Sequence, residues 1–393
     1  MDSQWSVAAL WMGLALVASL VSIRIGVSVA LVEILVGVVG GNFLGLHTTP
    51  WIDFIASFGS VLLTFLAGAE IDPASLRRHW KPSIVIGAIS FAAPFAAAWA
   101  FTELVAGWDR SAAQIAGVAL STTSVAVVYA VMVETGLNQT EIGKLILAAC
   151  FVTDLGTVVA LGVIFANFNA WMALFAVVTV LVLLILPRVM RLVSARLGAR
   201  VSEPEVKFLF LTLFGLGALA SAAKSEAVLP AYLVGLVVAG VFVNDKTLVH
   251  RLRSIAFGLL TPFYFLKAGL FVSLPAVIAG IGLIASLFGL KMGSKLLGVW
   301  PVSRAFRLPT GNATYTSLLM ASGLTFGTIS ALFGLTNHII TQAQYTILVT
   351  VVIGSAVVPT MIAQSFFRPK VENPERAAEV AEGAPILLET VNR

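Results

Sequence analysis

Apolar residues run along this chain in long stretches broken by short polar punctuation. A helix that crosses a bilayer needs about 20 mostly apolar residues, whereas a membrane-barrel strand needs about 10 in strict alternation. The stretches match the helical length. They predict thirteen membrane-spanning helices, at residues 5–23, 27–45, 51–70, 83–106, 111–133, 144–166, 170–187, 207–223, 227–243, 255–272, 275–300, 312–334 and 342–366. Helices also satisfy every backbone N–H and C=O within the segment, which a lipid solvent demands. The expected fold class is an all-α polytopic membrane protein. The first stretch lacks a basic leader and a small-residue cleavage site, so it is read as a retained helix.

Composition agrees with lipid as the solvent. Of 393 residues, 59% are hydrophobic and 11% charged, and the mean hydropathy is +0.99. Soluble proteins carry about 25% charged residues, so a soluble globular enzyme is excluded. The net charge of +5 reflects 24 Lys and Arg against 19 acids, with no basic aromatic patch that would read nucleic acid. The positions of the cations explain the excess. With the amino terminus outside, inner loops and tail hold nineteen of them: Arg24, Arg77, Arg78, Lys81, Lys144, Arg188, Arg191, Arg196, Arg200, Lys207, Lys246, Arg251, Arg253, Arg304, Arg307, Arg368, Lys370, Arg376 and Arg393. Outer loops keep Arg110 and Lys224. Because basic loops stay cytoplasmic, the carboxy terminus is expected inside. Residues 367–393, rich in Pro, Glu and Ala, read as a short cytosolic tail. The single cysteine, Cys150, excludes an internal disulfide and reads as a small core residue.

Ionisable groups inside the stretches carry the chemistry, because each costs on the order of 3 kcal/mol at the bilayer midplane even on lenient scales. Asp154 lies in the middle of the sixth stretch, between the hydroxyls of Thr153 and Thr157, with Gly156 allowing close approach of another backbone. Burial disfavours the bare anion, so a cation and a proton can compete for one carboxylate. The bland alternative is permanent pairing with a lysine as interhelical glue. Lys267 lies deep in the tenth stretch, and Lys291 and Lys295 share one face of the eleventh. Any of the three could neutralise Asp154. Glu33, within the second stretch, is a candidate ion entrance; Glu70, before Asp72 and Pro73, reads as interfacial.

Two stretches are polar where aliphatics are expected: Ser121-Thr122-Thr123-Ser124 in the fifth and Ser322-Gly323-Leu324-Thr325-Phe326-Gly327-Thr328 in the twelfth. Either set of hydroxyls could simply bond back to carbonyls one turn earlier. Their comparable places in the two halves of the chain point instead to an inverted-repeat transporter with interrupted helices at midplane, where carbonyls reach a cation and a lysine offsets a helix dipole. There is no phosphate-binding Gly-x-x-x-x-Gly-Lys-[Ser/Thr] loop, since Gly289 to Lys295 has the wrong spacing, and no hydrolytic motif; the four histidines fall outside the stretches. An enzyme is not expected.

Thr122-Thr123-Ser124-Val125, the Asp154 helix, Pro262-Phe263-Tyr264-Phe265 with Gly269, and Gly293 to Gly298 together resemble the monovalent cation:proton antiporter superfamily, on the branch of bacterial sodium/proton antiporters and potassium-efflux proteins. The similarity covers roughly residues 5–366. It implies inverted five-helix repeats, two crossed broken helices in a moving core, and a separate dimerisation scaffold. Mapped here, the scaffold is 5–70 and 207–272, the core 83–166 and 275–366, and 170–187 a linker helix. Asp154 matches the ion- and proton-binding aspartate, Lys295 the compensating lysine, and Glu33 an acidic residue in an equivalent early span. The chain departs from the pattern in three places. Thr153-Asp154 replaces the Asp-Asp of electrogenic relatives, Met320 to Thr325 lacks the Arg and Glu many relatives carry, and Lys267 is unusual at its position.

The resulting expectation is a secondary antiporter of a bacterial inner membrane, working as a homodimer by alternating access and exchanging Na⁺ for H⁺ at Asp154. Thr153, Thr123 and Ser124 supply oxygens, Ser121, Thr122, Ser322 and Thr325 form the polar breaks, and Lys295 and Lys267 are the compensating cations. One carboxylate implies one-for-one, electroneutral exchange. No cofactor beyond the transported ions is expected. The rival readings are a K⁺/H⁺ efflux transporter or gated K⁺ pathway, and a Na⁺-coupled organic anion symporter whose lysines bind the carboxylate.

Overall fold

The computed structural model describes residues 4–25, 29–69, 80–137, 140–165, 170–197, 202–223, 227–242 and 246–369. Glu70, Asp72, Pro73, Arg77, Arg78, Arg200, Lys224 and the tail from Lys370 onward lie outside these residues.

Helices occupy every predicted apolar stretch. They are α1 (Gln4–Ile25), α2 (Val29–Phe43), α3 (Pro50–Ala69), α4 (Trp80–Leu104), α5 (Arg110–Ser121), α6 (Val125–Glu134), α7 (Glu141–Ile164), α8 (Ala170–Leu197) and α9 (Pro204–Ala222). There follow α10 (Val228–Phe242), α11 (Lys246–Ile255), α12 (Thr261–Leu270), α13 (Leu274–Ala279), α14 (Ile281–Ala305), α15 (Thr310–Ala321), α16 (Thr325–Thr336) and α17 (Gln342–Phe366). Among the described residues, nine helices are long and apolar enough to cross a membrane, counting the interrupted pair 310–336 as one, and Val29–Phe43 and Val228–Gly240 are shorter apolar helices.

Three boundaries differ from the sequence reading. The linker helix does not stop at 187: α8 passes through Pro187 and runs to Leu197. Its last turns carry Arg188, Arg191 and Arg196, which a hydropathy window discards but a helix accommodates at its C-terminal, dipole-negative end. The tenth stretch is preceded by α11, an amphipathic basic helix that a five-residue π-helical segment, Ala256–Leu260, joins to α12. The eleventh stretch begins with the short α13, capped by the Ser273 hydroxyl, before α14.

The two halves of the chain repeat each other. The helix α5 spans 110–121 and α15 spans 310–321; both break for three residues, at 122–124 and 322–324, before α6 and α16 resume. The 25-residue α4 and α14 begin at Trp80 and Ile281, and the 15-residue α2 and α10 at Val29 and Val228. A shift of about 200 residues therefore superposes breaks as well as lengths.

Packing separates the helices into two sets. In one, α2 packs on α12, α3 on α10 and α12, and α8 on α9 and α10. Glycine permits the closest of these approaches. A Cβ on Gly269 would collide with the carbonyl oxygen of Ile34, and one on Gly37 with that of Leu266. In the other set α4 packs on α5, α7 and α14, α15 and α16 each pack on α17, α15 and α17 on α14, and α16 and α17 on α5. The main contact from one set to the other is α10 against α7, with α13 lying on α17. Where α10 meets α7, the Tyr232 hydroxyl donates to the Phe151 carbonyl at 3.1 Å.

Candidate functional site

The two interruptions meet. After Ser121 the backbone turns extended at Thr122 (φ −65°, ψ 152°), and after Ala321 it does the same at Ser322 (φ −69°, ψ 119°). The Ser124 N–H then donates to the Ser322 carbonyl at 2.7 Å, a main-chain bond between segments about 200 residues apart. The Thr123 hydroxyl donates to the Met320 carbonyl at 2.7 Å, and the Ser124 and Thr325 hydroxyls lie 3.4 Å apart. The alternative of simple back-bonding is also realised, at the last turn of each first half: Ser121 bonds to Val118, Thr122 to Ala119 and Ser322 to Leu319. One hydroxyl cluster thus does two jobs. It ends each half-helix, and it ties the opposed ends together.

Lys295, from α14, is fully buried at this crossing. Its ammonium donates to the Ser121 carbonyl at 2.7 Å, Ser90 Oγ of α4 at 2.8 Å and Thr123 Oγ1 at 3.1 Å. All three N–H groups are used. Because Ser121 is the last residue of α5, the cation caps the negative end of that half-helix dipole. One turn earlier, Lys291 lies beside the second break. It is 1% exposed, its Nζ has no hydrogen-bond partner among the described residues, and a Cβ on Gly323 would collide with it.

Asp154 is carried by α7, which packs on all four half-helices, α5, α6, α15 and α16. The side chain is 1% exposed, and its Oδ1 has no hydrogen-bond partner among the described residues. Lys295 and Tyr232 stand within electrostatic reach of it. Thr153 fixes the register of α7 against α4, donating to the Gly87 carbonyl at 3.2 Å and to Ala149 at 3.1 Å, while Thr157 bonds back to Thr153. Gly87 makes that approach possible, since a Cβ there would fall 2.5 Å from Val152 Cβ. Gly156 faces the Phe91 ring and not another backbone. Cys150 is fully buried, its sulfur 3.7 Å from that of Met320.

Two predicted residues stand elsewhere. Lys267 is not at the crossing; its ammonium pairs with Asp53 Oδ1 at 2.7 Å, between α12 and α3. The placement has a simple physical reason: a buried ammonium takes the carboxylate that packing brings to it, and the tenth stretch packs against the third. Glu33 is 2% exposed within α2, which packs on α12 and α1, and its Oε2 has no hydrogen-bond partner among the described residues. The sequence reading did not single out Ser90, Asp53 or Gly323. Gly323 stood there only within the polar run of the twelfth stretch, and Lys291 was one of the three lysines that could neutralise Asp154.

Comparison with known proteins follows this geometry. The family model described as sodium/hydrogen exchanger, transmembrane, matches residues 12–368. The cation/H⁺ antiporter 18 of Arabidopsis thaliana is 26% identical over 81% of this chain, which spans only 42% of that relative's length. The Na⁺/H⁺-K⁺ antiporter GerN of Bacillus cereus is 24% identical over 88% of this chain and 92% of its own. Among solved structures, that of the sodium proton antiporter MjNhaP1 from Methanocaldococcus jannaschii at pH 8 superposes with a TM-score of 0.71 at 16% identity, covering 93% of this chain and all of the other. At that identity the likeness concerns the fold.

Proposed function

The chain belongs to the transmembrane sodium/hydrogen exchanger family, and from that premise we propose that it is a secondary antiporter in which a monovalent cation, Na⁺ foremost, and a proton take turns on Asp154. The observation that carries the reading is the buried, unpartnered Oδ1 of Asp154 on the helix that touches all four half-helices of the crossing. Protonated, the carboxyl is neutral and can move past an apolar barrier. Ionised, it can do so only with its cation, because a bare charge there costs several kcal/mol. Excluding the empty anion is what couples the two fluxes.

The cation's first oxygens are those of Asp154, with Thr153, Ser124 and Thr123 hydroxyls and the carbonyls at 122 and 123 completing the set. Thr123 is the most committed of these, since it already accepts from Lys295 and donates to Met320. Lys295 holds the negative end of α5 and neutralises the site without closing it. A single carboxylate at the crossing supports one-for-one, electroneutral exchange. The two packing sets support a core of 83–166 and 275–366 that moves against a scaffold of 5–70 and 207–272, through which two copies would dimerise. The cations along one end support an inner-membrane orientation with the carboxy terminus in the cytoplasm.

K⁺ is the second candidate cargo, favoured by the likeness to the Na⁺/H⁺-K⁺ antiporter GerN of Bacillus cereus. The organic anion reading loses one of its lysines, since Lys267 already holds Asp53.

Two experiments test this. In proteoliposomes, Asp154→Asn should fold as the parent does and lose pH-gradient-driven Na⁺ uptake by at least about 100-fold; robust uptake by the variant would remove the mechanism. With the voltage clamped at different values, exchange by the parent should keep the same rate, whereas acceleration by voltage would mean that net charge moves in each cycle.

A further inference from the structure

A cavity of about 110 Å³ lies between the two packing sets, away from the crossing. Ser57 and Ser60 of α3, Val228 of α10 and Lys267 of α12 line it on one side, and Ile329 and Thr336 of α16 on the other. It belongs to the end of the molecule opposite the arginine-bearing ends of α8 and α14, because Asp53 begins α3, Val228 begins α10, and Thr336 ends α16.

The way from this cavity to Asp154 is short. One turn further along α10 from Val228 stands Tyr232, and one turn back along α16 from Ile329 stands Phe326; their rings meet edge to face with centroids 6.3 Å apart. Both are at most 2% exposed. The Tyr232 hydroxyl donates to the carbonyl of Phe151, three residues before Asp154. A ring pair contributed by both packing sets therefore stands one turn from cavity-lining residues on each side, and Tyr232 bonds from it to the helix that carries Asp154.

The cavity's charge is set by one pair. Lys267 is 8% exposed and Asp53 more open, their ion pair being 2.7 Å long. Among the described lining residues Lys267 alone is charged; the rest of the polar lining is hydroxyl, suited to a partly hydrated cation. An ammonium in such a passage repels a permeant cation unless a carboxylate neutralises it. The arrangement makes sense if Asp53 is there to cancel Lys267.

We propose that the Lys267–Asp53 pair is a charge filter in the outer access route, setting how readily a monovalent cation reaches Asp154 from that face alone. The inference rests on the antiport reading and adds a specificity-determining pair to it. A pair that only braced α3 against α12 would make either single substitution harmful in the same direction. A filter makes them opposite.

The test measures the apparent KM for Na⁺ of the full chain, separately in right-side-out and inside-out vesicles, by proton flux. Asp53→Asn leaves Lys267 uncancelled and should raise KM on the cavity face by about three- to tenfold, the range expected for one nearby charge in a partly screened passage. Lys267→Met leaves Asp53 alone and should lower KM there about threefold. The double variant should return to within about twofold of the parent, and KM on the opposite face should stay unchanged in all three. Single variants that shift the same way, or shift both faces alike, overturn the filter. Should Asp53→Asn fail to fold, Lys267→Met decides alone: a lower KM on the cavity face supports the filter, and an unchanged or higher one overturns it. Parent protein without any Na⁺/H⁺ exchange would remove the antiport reading and the filter with it, a result distinct from an active parent whose variants do not split.

Discussion

At the residue scale, the lysine at the crossing combines two roles that a substitution can separate. Lys295 gives three hydrogen bonds to fully buried groups, and it supplies the charge that faces Asp154. Removing it orphans the Ser121 carbonyl and two hydroxyls, at about 1–3 kcal/mol for each group that finds no other partner. Lys295→Met should therefore lower thermal stability in detergent by several kcal/mol, whereas Ser90→Ala, which takes one acceptor and leaves the charge, should lower it by about 1 kcal/mol. A melting curve for each variant decides; equal losses would mean that the ammonium's bonds to Ser121 and Thr123 contribute little. The sequence made Lys295 a candidate but could not choose it over Lys267, because both are basic residues stranded in apolar stretches. What separates them is contact across the chain. Lys267 meets Asp53, more than 200 positions away, and no spacing rule within a helix reports such a partner.

At the element scale, the breaks in the fifth and twelfth stretches were legible because Ser, Thr and Gly gather there and because the two gatherings sit alike in the two halves. The depth of their meeting was not. It depends on Gly323, whose missing side chain leaves room for Thr122 of the opposite segment: a Cβ would fall 2.8 Å from Thr122 Oγ1 and 2.9 Å from its carbonyl oxygen. A hydroxyl can rotate away, but a carbonyl held in a packed backbone moves only with its segment. Gly323→Ala should thus part the crossing by a few tenths of an ångström, destabilise by about 1–3 kcal/mol as overpacked sites do, and lower exchange by more than the fold loss explains. Gly289→Ala, on a part of α14 with open space, is the control and should change neither. If the two variants behave alike, the close approach at Gly323 has no bearing on transport. The added turns of α8, the basic α11 and the π segment before α12 were invisible for a different reason. The residues of the first two are polar or mixed, the π segment is apolar but its winding leaves no mark in hydropathy, and hydropathy alone finds only where lipid begins and ends.

At the scale of the whole molecule, if exchange proceeds by one packing set sliding on the other, as proposed above, α10 against α7 is where such sliding would be felt. The fold offers a direct way to arrest it. Gly162 on α7 faces Leu229 on α10, and a Cβ on Gly162 would stand 3.5 Å from Leu229 Cβ, at the short end of the 3.5–4.5 Å that a disulfide spans. The background is simple, since the chain has one cysteine, Cys150, buried against Met320 and replaceable by alanine. In Cys150→Ala, the pair Gly162→Cys and Leu229→Cys should exchange Na⁺ for H⁺ under reducing conditions, lose most exchange when oxidised, and regain it on reduction. The disulfide would join the sets without touching Asp154, Lys295 or the two breaks, so an oxidised protein should still bind the cation, read as competition between Na⁺ and H⁺ in a binding titration. Full exchange with the cross-link in place would mean that α7 and α10 move as one body. The barrier would then have to open and close inside the set that carries Asp154, by motion of the half-helices themselves.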